Sequence, residues 1–180
     1  MRKLFYISLI ILCIHSCDVV YAQHTTAAGI SIIKYYEGFR PVAYKCPSGI
    51  WTIFYGHTGN DVHSGMIGTR QQGEIVLEKD LIKFENYTQK TINRNLKWHE
   101  FDAIVCFSFN VGFRFSPGEY YNATLKKAID IGNTNLVVMQ LNKYSHDKYG
   151  RVLSGLVKRR KSECALYSDD MGSSFLRGIL

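Results

Sequence analysis

The chain has 180 residues, 46% hydrophobic and 21% charged, a composition that supports one packed domain and excludes wholesale disorder. Lys and Arg number 22 against 15 Asp and Glu, a net charge of +7, which favours a polyanionic partner: nucleic acid, an anionic membrane surface or an acidic wall polymer. Its 5 cysteines are too few for a disulfide-dense scaffold and contain no CxxC pair for zinc or redox chemistry.

Residues 1–22 read as an export segment. Arg2 and Lys3 precede an apolar run from Leu4 to Cys17, and Val20-Tyr21-Ala22 suits cleavage before Gln23. The run is shorter than the roughly 18–20 residues of a stable spanning helix. A signal peptide is therefore the first reading and an uncleaved N-terminal anchor the second. Ile14-His15-Ser16 makes a poor lipid-attachment box before Cys17. Removal of Arg2, Lys3 and Asp18 lowers the net charge only from +7 to +6, so the basic character belongs to the rest of the chain. Export to the periplasm or beyond, or inner-membrane anchoring before release, disfavours nucleic acid as the partner. A monomer is expected, touching membrane only through this segment.

Further along, the pattern predicts a short helix over Gly29–Glu37, stopped by Gly38. Two strands follow, Val42–Cys46 and Ile50–Phe54, around a Pro47-Ser48-Gly49 turn. Thr69 and Gln72 form a capping box for a long helix with apolar positions Leu77, Leu81, Phe84, Ile92 and Leu96. Phe101–Phe109 is apolar almost all round, which predicts a buried central helix. Three more helices are expected over Asn122–Ile129, Leu136–Tyr144 and Leu156–Tyr167, the last capped by Ser154. The fold class is thus α+β: a mostly helical domain over residues 23–167 with a small antiparallel β-hairpin lobe. Residues 168–180 lack a pattern and read as a tail prone to fray.

Candidate chemistry lies between Glu37 and Thr52. A hairpin centred on Gly49 sets Cys46 opposite Thr52, with matching parity on one face. Glu37 ends a helix, where the negative end of the dipole favours the protonated carboxyl that a general acid needs. From spacing alone, a solvated helix end and a half-buried strand cysteine remain the simpler reading.

The wider motif changes that balance. Glu37-Gly38-Phe39-Arg40, Ala43-Tyr44-Lys45-Cys46 and the run Gly49 to Thr58 (GIWTIFYGHT) closely resemble the phage-type lysozymes, the endolysins of glycoside hydrolase family 24. Glu37, Cys46 and Thr52 match the family's E-x8-D/C-x5-T intervals. Phe109-Asn110-Val111-Gly112, Asn122 to Lys127 and Gly155 to Glu163 continue the resemblance over residues 29–167. It implies a two-lobed lysozyme-like fold and cleavage of the β-1,4 bond between N-acetylmuramic acid and N-acetylglucosamine in peptidoglycan, leading to wall lysis. Glu37 would be the acid, Cys46 the thiolate that activates water or attacks directly, and Thr52 the holder of that water. Lys45, Arg159 or Arg160 would favour the thiolate.

Tyr44, Trp51, Tyr55, Asn110 and Tyr149 are candidates for the saccharide cleft, although core packing explains Trp51 as well and buried hydrogen bonding is the first reading of Asn110. His57 reads as structural, and Arg159 and Arg160 as a salt-bridging pair, one of them reaching Glu37. Cys106 and Cys164 read as buried small hydrophobes, which makes Cys46 the functional thiol. No metal and no cofactor are expected.

The chain departs from the family pattern at Cys46, commonly Asp, and at Phe54, commonly Gly. The late tryptophan is replaced near Tyr144, and a glycine pair by Tyr149-Gly150. These changes bear on substrate fit more than on reaction class. Two other classes are conceivable: a lytic transglycosylase, which would need one acid alone, and a non-catalytic glycan-binding domain, which would tolerate loss of Glu37.

Overall fold

A computed structural model describes residues 23–46, 48–114 and 122–180. The expected export segment, residues 1–22, and Pro47 of the expected turn lie outside the described residues. In chain order the elements are α1 (Ala27–Glu37), β1 (Arg40–Lys45), β2 (Trp51–Phe54), α2 (Arg70–Thr91), α3 (Trp98–Val111), α4 (Ala123–Asp130), α5 (Thr134–Asn142), α6 (Ser154–Tyr167) and α7 (Ser174–Arg177). The α+β class holds, with an antiparallel β1–β2 hairpin set against helices. Among the described residues no helix is long and apolar enough to cross a membrane.

Helix α3 forms the centre because its sequence is apolar on nearly every side. Phe101, Ile104, Val105 and Phe107 are fully buried, enclosed by Ile32 and Ile33 of α1, Leu77 and Leu81 of α2, and Leu166 and Tyr167 of α6. Burial of each such side chain contributes roughly 1.5–3 kcal/mol. Asp102, also on α3, accepts hydrogen bonds from the Thr26 and Gly29 main-chain N–H groups, at 3.0 and 3.2 Å. The start of α1 is thereby fastened to the core. Helix α2 begins at the expected capping box, Thr69 with Gln72, and packs on both β2 and α3.

Three expectations change. Helix α2 ends at Thr91, with Ile92 extended, so Leu96 meets the core from a loop although its spacing suited the helix. Helix α6 begins at Ser154, with Leu153 at the N-cap and no side-chain cap. The stretch after Tyr167 is not without structure: α7 forms and Leu176 is fully buried. Two adjacent apolar residues on a four-residue helix are too weak a pattern to read before the docking surface is known.

Candidate active site

Glu37 is the last residue of α1. Gly38 stops the helix at φ 68°, its N–H donating to the Lys34 carbonyl at 3.1 Å. This geometry favours glycine, which has no Cβ to strain. The chain then turns directly into β1, so the carboxyl sits at the junction of helix and hairpin. Beyond β2, Gly56 passes so close that an added Cβ would lie 3.5 Å from Glu37 Oε2. From the other side, Arg159 of α6 donates through Nη1 to Glu37 Oε1 at 2.6 Å. One of Arg159 and Arg160 was expected to reach Glu37, and Arg159 is the one that does.

The hairpin register pairs Tyr44 with Thr52 and Lys45 with Trp51. Cys46 therefore faces Ile50, to whose carbonyl its N–H donates at 2.9 Å, and lies diagonal to Thr52. The expected centre at Gly49 was one residue late. Gly49 instead follows the apex at φ 79°, closing the turn by donating to the Cys46 carbonyl at 2.8 Å. Moving the centre by one residue moves each partner by two, so parity survives and Tyr44, Cys46 and Thr52 share a face.

The Cys46 thiol stands below the usual cysteine range because main-chain hydrogen bonds from Ile50 and then Ser48 stabilise the thiolate. Partial desolvation works against them, and the Thr52 and Ser48 hydroxyls add to the lowering. The cations expected to do this work are occupied elsewhere. Lys45 Nζ lies over the Trp51 ring at 5.5 Å, Arg159 is held by Glu37 and Glu163, and Arg160 by Glu163 and Asn110. Thr52 is buried, its hydroxyl donating to the Ile50 carbonyl at 3.2 Å.

The cleft candidates separate. Tyr44 is partly exposed beneath the Arg40 guanidinium, on the face of Cys46 and Thr52. Trp51 is half-buried on the opposite hairpin face with Lys45. Tyr55 is withdrawn from solvent: at 2% exposure it packs against Phe39, and its hydroxyl accepts from Arg70 at 3.1 Å. Asn110, half-buried, accepts from Arg160 at 2.8 Å, which fits a hydrogen-bonding role within the helices. Tyr149 is 71% exposed on the loop entering α6, where Asp147 accepts from the Tyr149 and Arg151 N–H groups.

His57 sits between carboxylates, Nδ1 at 2.7 Å from Asp80 and Nε2 at 3.2 Å from Asp61. Burial lowers its pKa, but the Asp80 and Asp61 carboxylates outweigh burial, and the net direction is upward. Cys106 and Cys164 are buried, as expected. Burial pushes Cys106 well above the usual range and Cys164 to about 12.

Two residues escaped the sequence reading. Asp80 carries no local signal as the partner of His57. Glu163 could have been found, because it follows Arg160 by three residues and Arg159 by four, so one helical face presents all three.

Helices around a buried α3, with a hairpin bearing an acid, a thiol and a hydroxyl at the junction, define a lysozyme-like class of protein. The family model described as phage lysozyme matches residues 34–163, and the chain belongs to this family. It is 34% identical over 147 residues to an endolysin of Bacillus phage B103, covering 81% of this chain and 54% of that relative. To an endolysin of Acyrthosiphon pisum secondary endosymbiont phage 1 it is 33% identical over 148 residues, covering 81% and 98%. The chain thus spans about half the length of the first relative and nearly all of the second. Among solved structures it resembles the muramidase domain of SpmX from Asticaccaulis excentricus, with a TM-score of 0.73 and 26% identity over 81% of this chain and 97% of that one.

Proposed function

We propose that this chain is a muramidase that hydrolyses the β-1,4 bond between N-acetylmuramic acid and N-acetylglucosamine in peptidoglycan. The observation that carries the reading is the junction itself. Glu37 stands at the end of a helix fastened to the core, next to a hairpin whose face offers a thiol set up to ionise and a buried hydroxyl. Membership of the phage lysozyme family, and the likeness to a protein named as a muramidase domain, support the same substrate class.

In this mechanism Glu37 protonates the glycosidic oxygen as the bond breaks toward an oxocarbenium-like state. The Cys46 thiolate, with Thr52 beside it, either draws a proton from water on the opposite sugar face or attacks the anomeric carbon. Tyr44 extends the same hairpin face toward the glycan. The enzyme works on the wall outside the cytoplasm, as a monomer delivered by residues 1–22. Its surplus of Lys and Arg draws it to anionic wall polymer.

The test is digestion of purified cell walls by the full chain, wild type beside Glu37→Gln. Clearing with release of new reducing ends is expected from wild type only. Equal clearing by both proteins would refute the assignment of Glu37, and anhydro-sugar products would replace hydrolysis with transglycosylation. Cys46→Asp separates the roles of the thiol. Retained activity supports water activation, whereas complete loss counts against it.

A further inference from the structure

Where α1, α3 and α6 meet, four charged side chains form a ladder, three of them buried and the fourth, Glu37, half-buried. Arg159 lies between two carboxylates, donating through Nη1 to Glu37 at 2.6 Å and through Nε to Glu163 Oε1 at 3.1 Å. The same Glu163 oxygen accepts from Arg160 Nη2 at 2.9 Å. That nitrogen also donates to Asn110 Oδ1 at 2.8 Å. Arg159 Nη2 adds a bond to the Cys106 carbonyl of α3 at 3.3 Å. Glu163 and Arg160 are wholly removed from solvent. Their remaining atoms, Glu163 Oε2 and Arg160 Nε and Nη1, are buried with no hydrogen-bond partner among the described residues. On stability grounds alone such an arrangement is a poor bargain against apolar packing.

Among the described residues, the neighbours leave the balance to these four groups. On α1, Tyr36 pairs with Ser162 and its phenol is pushed up by burial. On α3 and α6, burial likewise raises Cys106 and Cys164, which keeps both neutral. Asp102 of α3 is bonded to the start of α1. Cys46 faces the hairpin turn, while Lys34 and Glu74 pair on the outer side. Burial pushes the Glu163 carboxyl up, and Arg160 and Arg159 pull against it.

With Glu37 ionised, the two guanidiniums and two carboxylates cancel. With Glu37 protonated, one positive charge is left over. If Glu163 were absent, Glu37 would face two uncompensated guanidiniums and lose its proton more readily. We propose that Glu163 is a positioning residue: it anchors Arg159 against Glu37 and shares its charge, so that Glu37 is held in place yet can carry the proton the reaction uses. The catalytic part of this inference rests on the muramidase reading.

The test measures wall-clearing kcat/KM against pH for the full chain. The Glu37 carboxyl is titrated in parallel by carbon NMR, which needs no substrate. In Glu163→Gln the alkaline limb and the Glu37 titration are expected to move down by about one pH unit, the scale of a nearby unpaired charge. In Arg160→Met both are expected to move up by a similar amount. The double variant Glu163→Gln/Arg160→Met should return close to wild type. The double variant restores charge balance, so it and Arg160→Met carry the test even if Glu163→Gln does not fold. Lower activity with all limbs and titrations unmoved would mean a merely structural ladder and would overturn the proposal, as would shifts of one sign in both single variants. Failure of wild type to clear walls would instead strike the muramidase reading, while the NMR titrations would still decide the charge balance.

Discussion

Phe54 offers the sharpest check on the fold, because it adopts a backbone conformation that suits glycine. Its φ is 59°, imposed by the tight turn in which Ile53 and His57 exchange main-chain hydrogen bonds at 3.0 and 2.9 Å. Left-handed geometry costs a non-glycine residue about 1–2 kcal/mol. Burial offsets this: Phe54 is 3% exposed and stacks on Phe39 with centroids 6.1 Å apart. Space comes from two glycines. A Cβ on Gly68 would fall 2.4 Å from the Phe54 ring, and one on Gly73 would fall 3.1 Å from Phe54 Cβ.

Truncation of Phe54 to Ala should cost about 3–5 kcal/mol in lost burial and cavity formation, with the backbone strain retained. Truncation to Gly loses the same ring but relieves the strain. The more flexible unfolded chain returns about 0.4–1 kcal/mol of that relief. Glycine should therefore be more stable than alanine here by roughly 0.5–1 kcal/mol, the reverse of their usual order. Urea unfolding followed by tryptophan fluorescence should place the midpoint of Phe54→Gly roughly 0.3–0.5 M above that of Phe54→Ala, and both below wild type. An alanine variant equal to or more stable than the glycine variant would show that residue 54 is not left-handed in solution. Gly73→Ala belongs to the same test. At an ordinary helix position it would stabilise by about 1 kcal/mol, but here it should destabilise by about 1–3 kcal/mol through overpacking against Phe39 and Phe54.

Because the His57 pKa is raised in the fold, its pairing with Asp80 and Asp61 stabilises fully below the ordinary histidine value of 6.5 and less as pH climbs through the raised value. Thermal melts of Asp80→Asn should accordingly fall short of wild type most at acid pH, the gap closing in alkaline buffer; a gap independent of pH would refute the linkage. Alkylation by iodoacetamide with peptide mapping should label Cys46 at lower pH than an ordinary thiol and leave Cys106 and Cys164 unmodified in the native state. Thr52→Val should slow the Cys46 reaction near neutral pH by removing one hydroxyl bond to the thiolate. Leu176→Ala should cost about 2–5 kcal/mol in chemical unfolding if α7 is part of the core; an unchanged midpoint would return residues 168–180 to the status of a tail.

Much of this was legible in the order of residues. The apolar run of α3, the Thr69–Gln72 capping box and Gly38 after Glu37 are local signals, written within a few residues of the structure they cause. The spacing of Glu37, Cys46 and Thr52 carried the lysozyme resemblance for the same reason, since one helix end and one hairpin supply all three. The register error at Gly49 and the misplaced cap at Ser154 were also local, and they came from turn geometry that a sequence specifies only loosely.

Tertiary structure decided the rest. It put Tyr55 in the core beside Phe39 and Arg70, although its place in the motif suited a glycan as well. It gave the Cys46 thiol main-chain donors where nearby cations had been expected, because Lys45 points to the other hairpin face and both arginines of α6 are engaged. The sequence sent one of Arg159 and Arg160 to Glu37, and packing chose Arg159, 122 positions away; the pairing of Asp80 with His57 depends on how a loop meets a helix, and no local pattern encodes that meeting. Sequence determined which groups could do the chemistry. Packing determined which charges and hydrogen-bond donors they meet, because those partners arrive from distant parts of the chain.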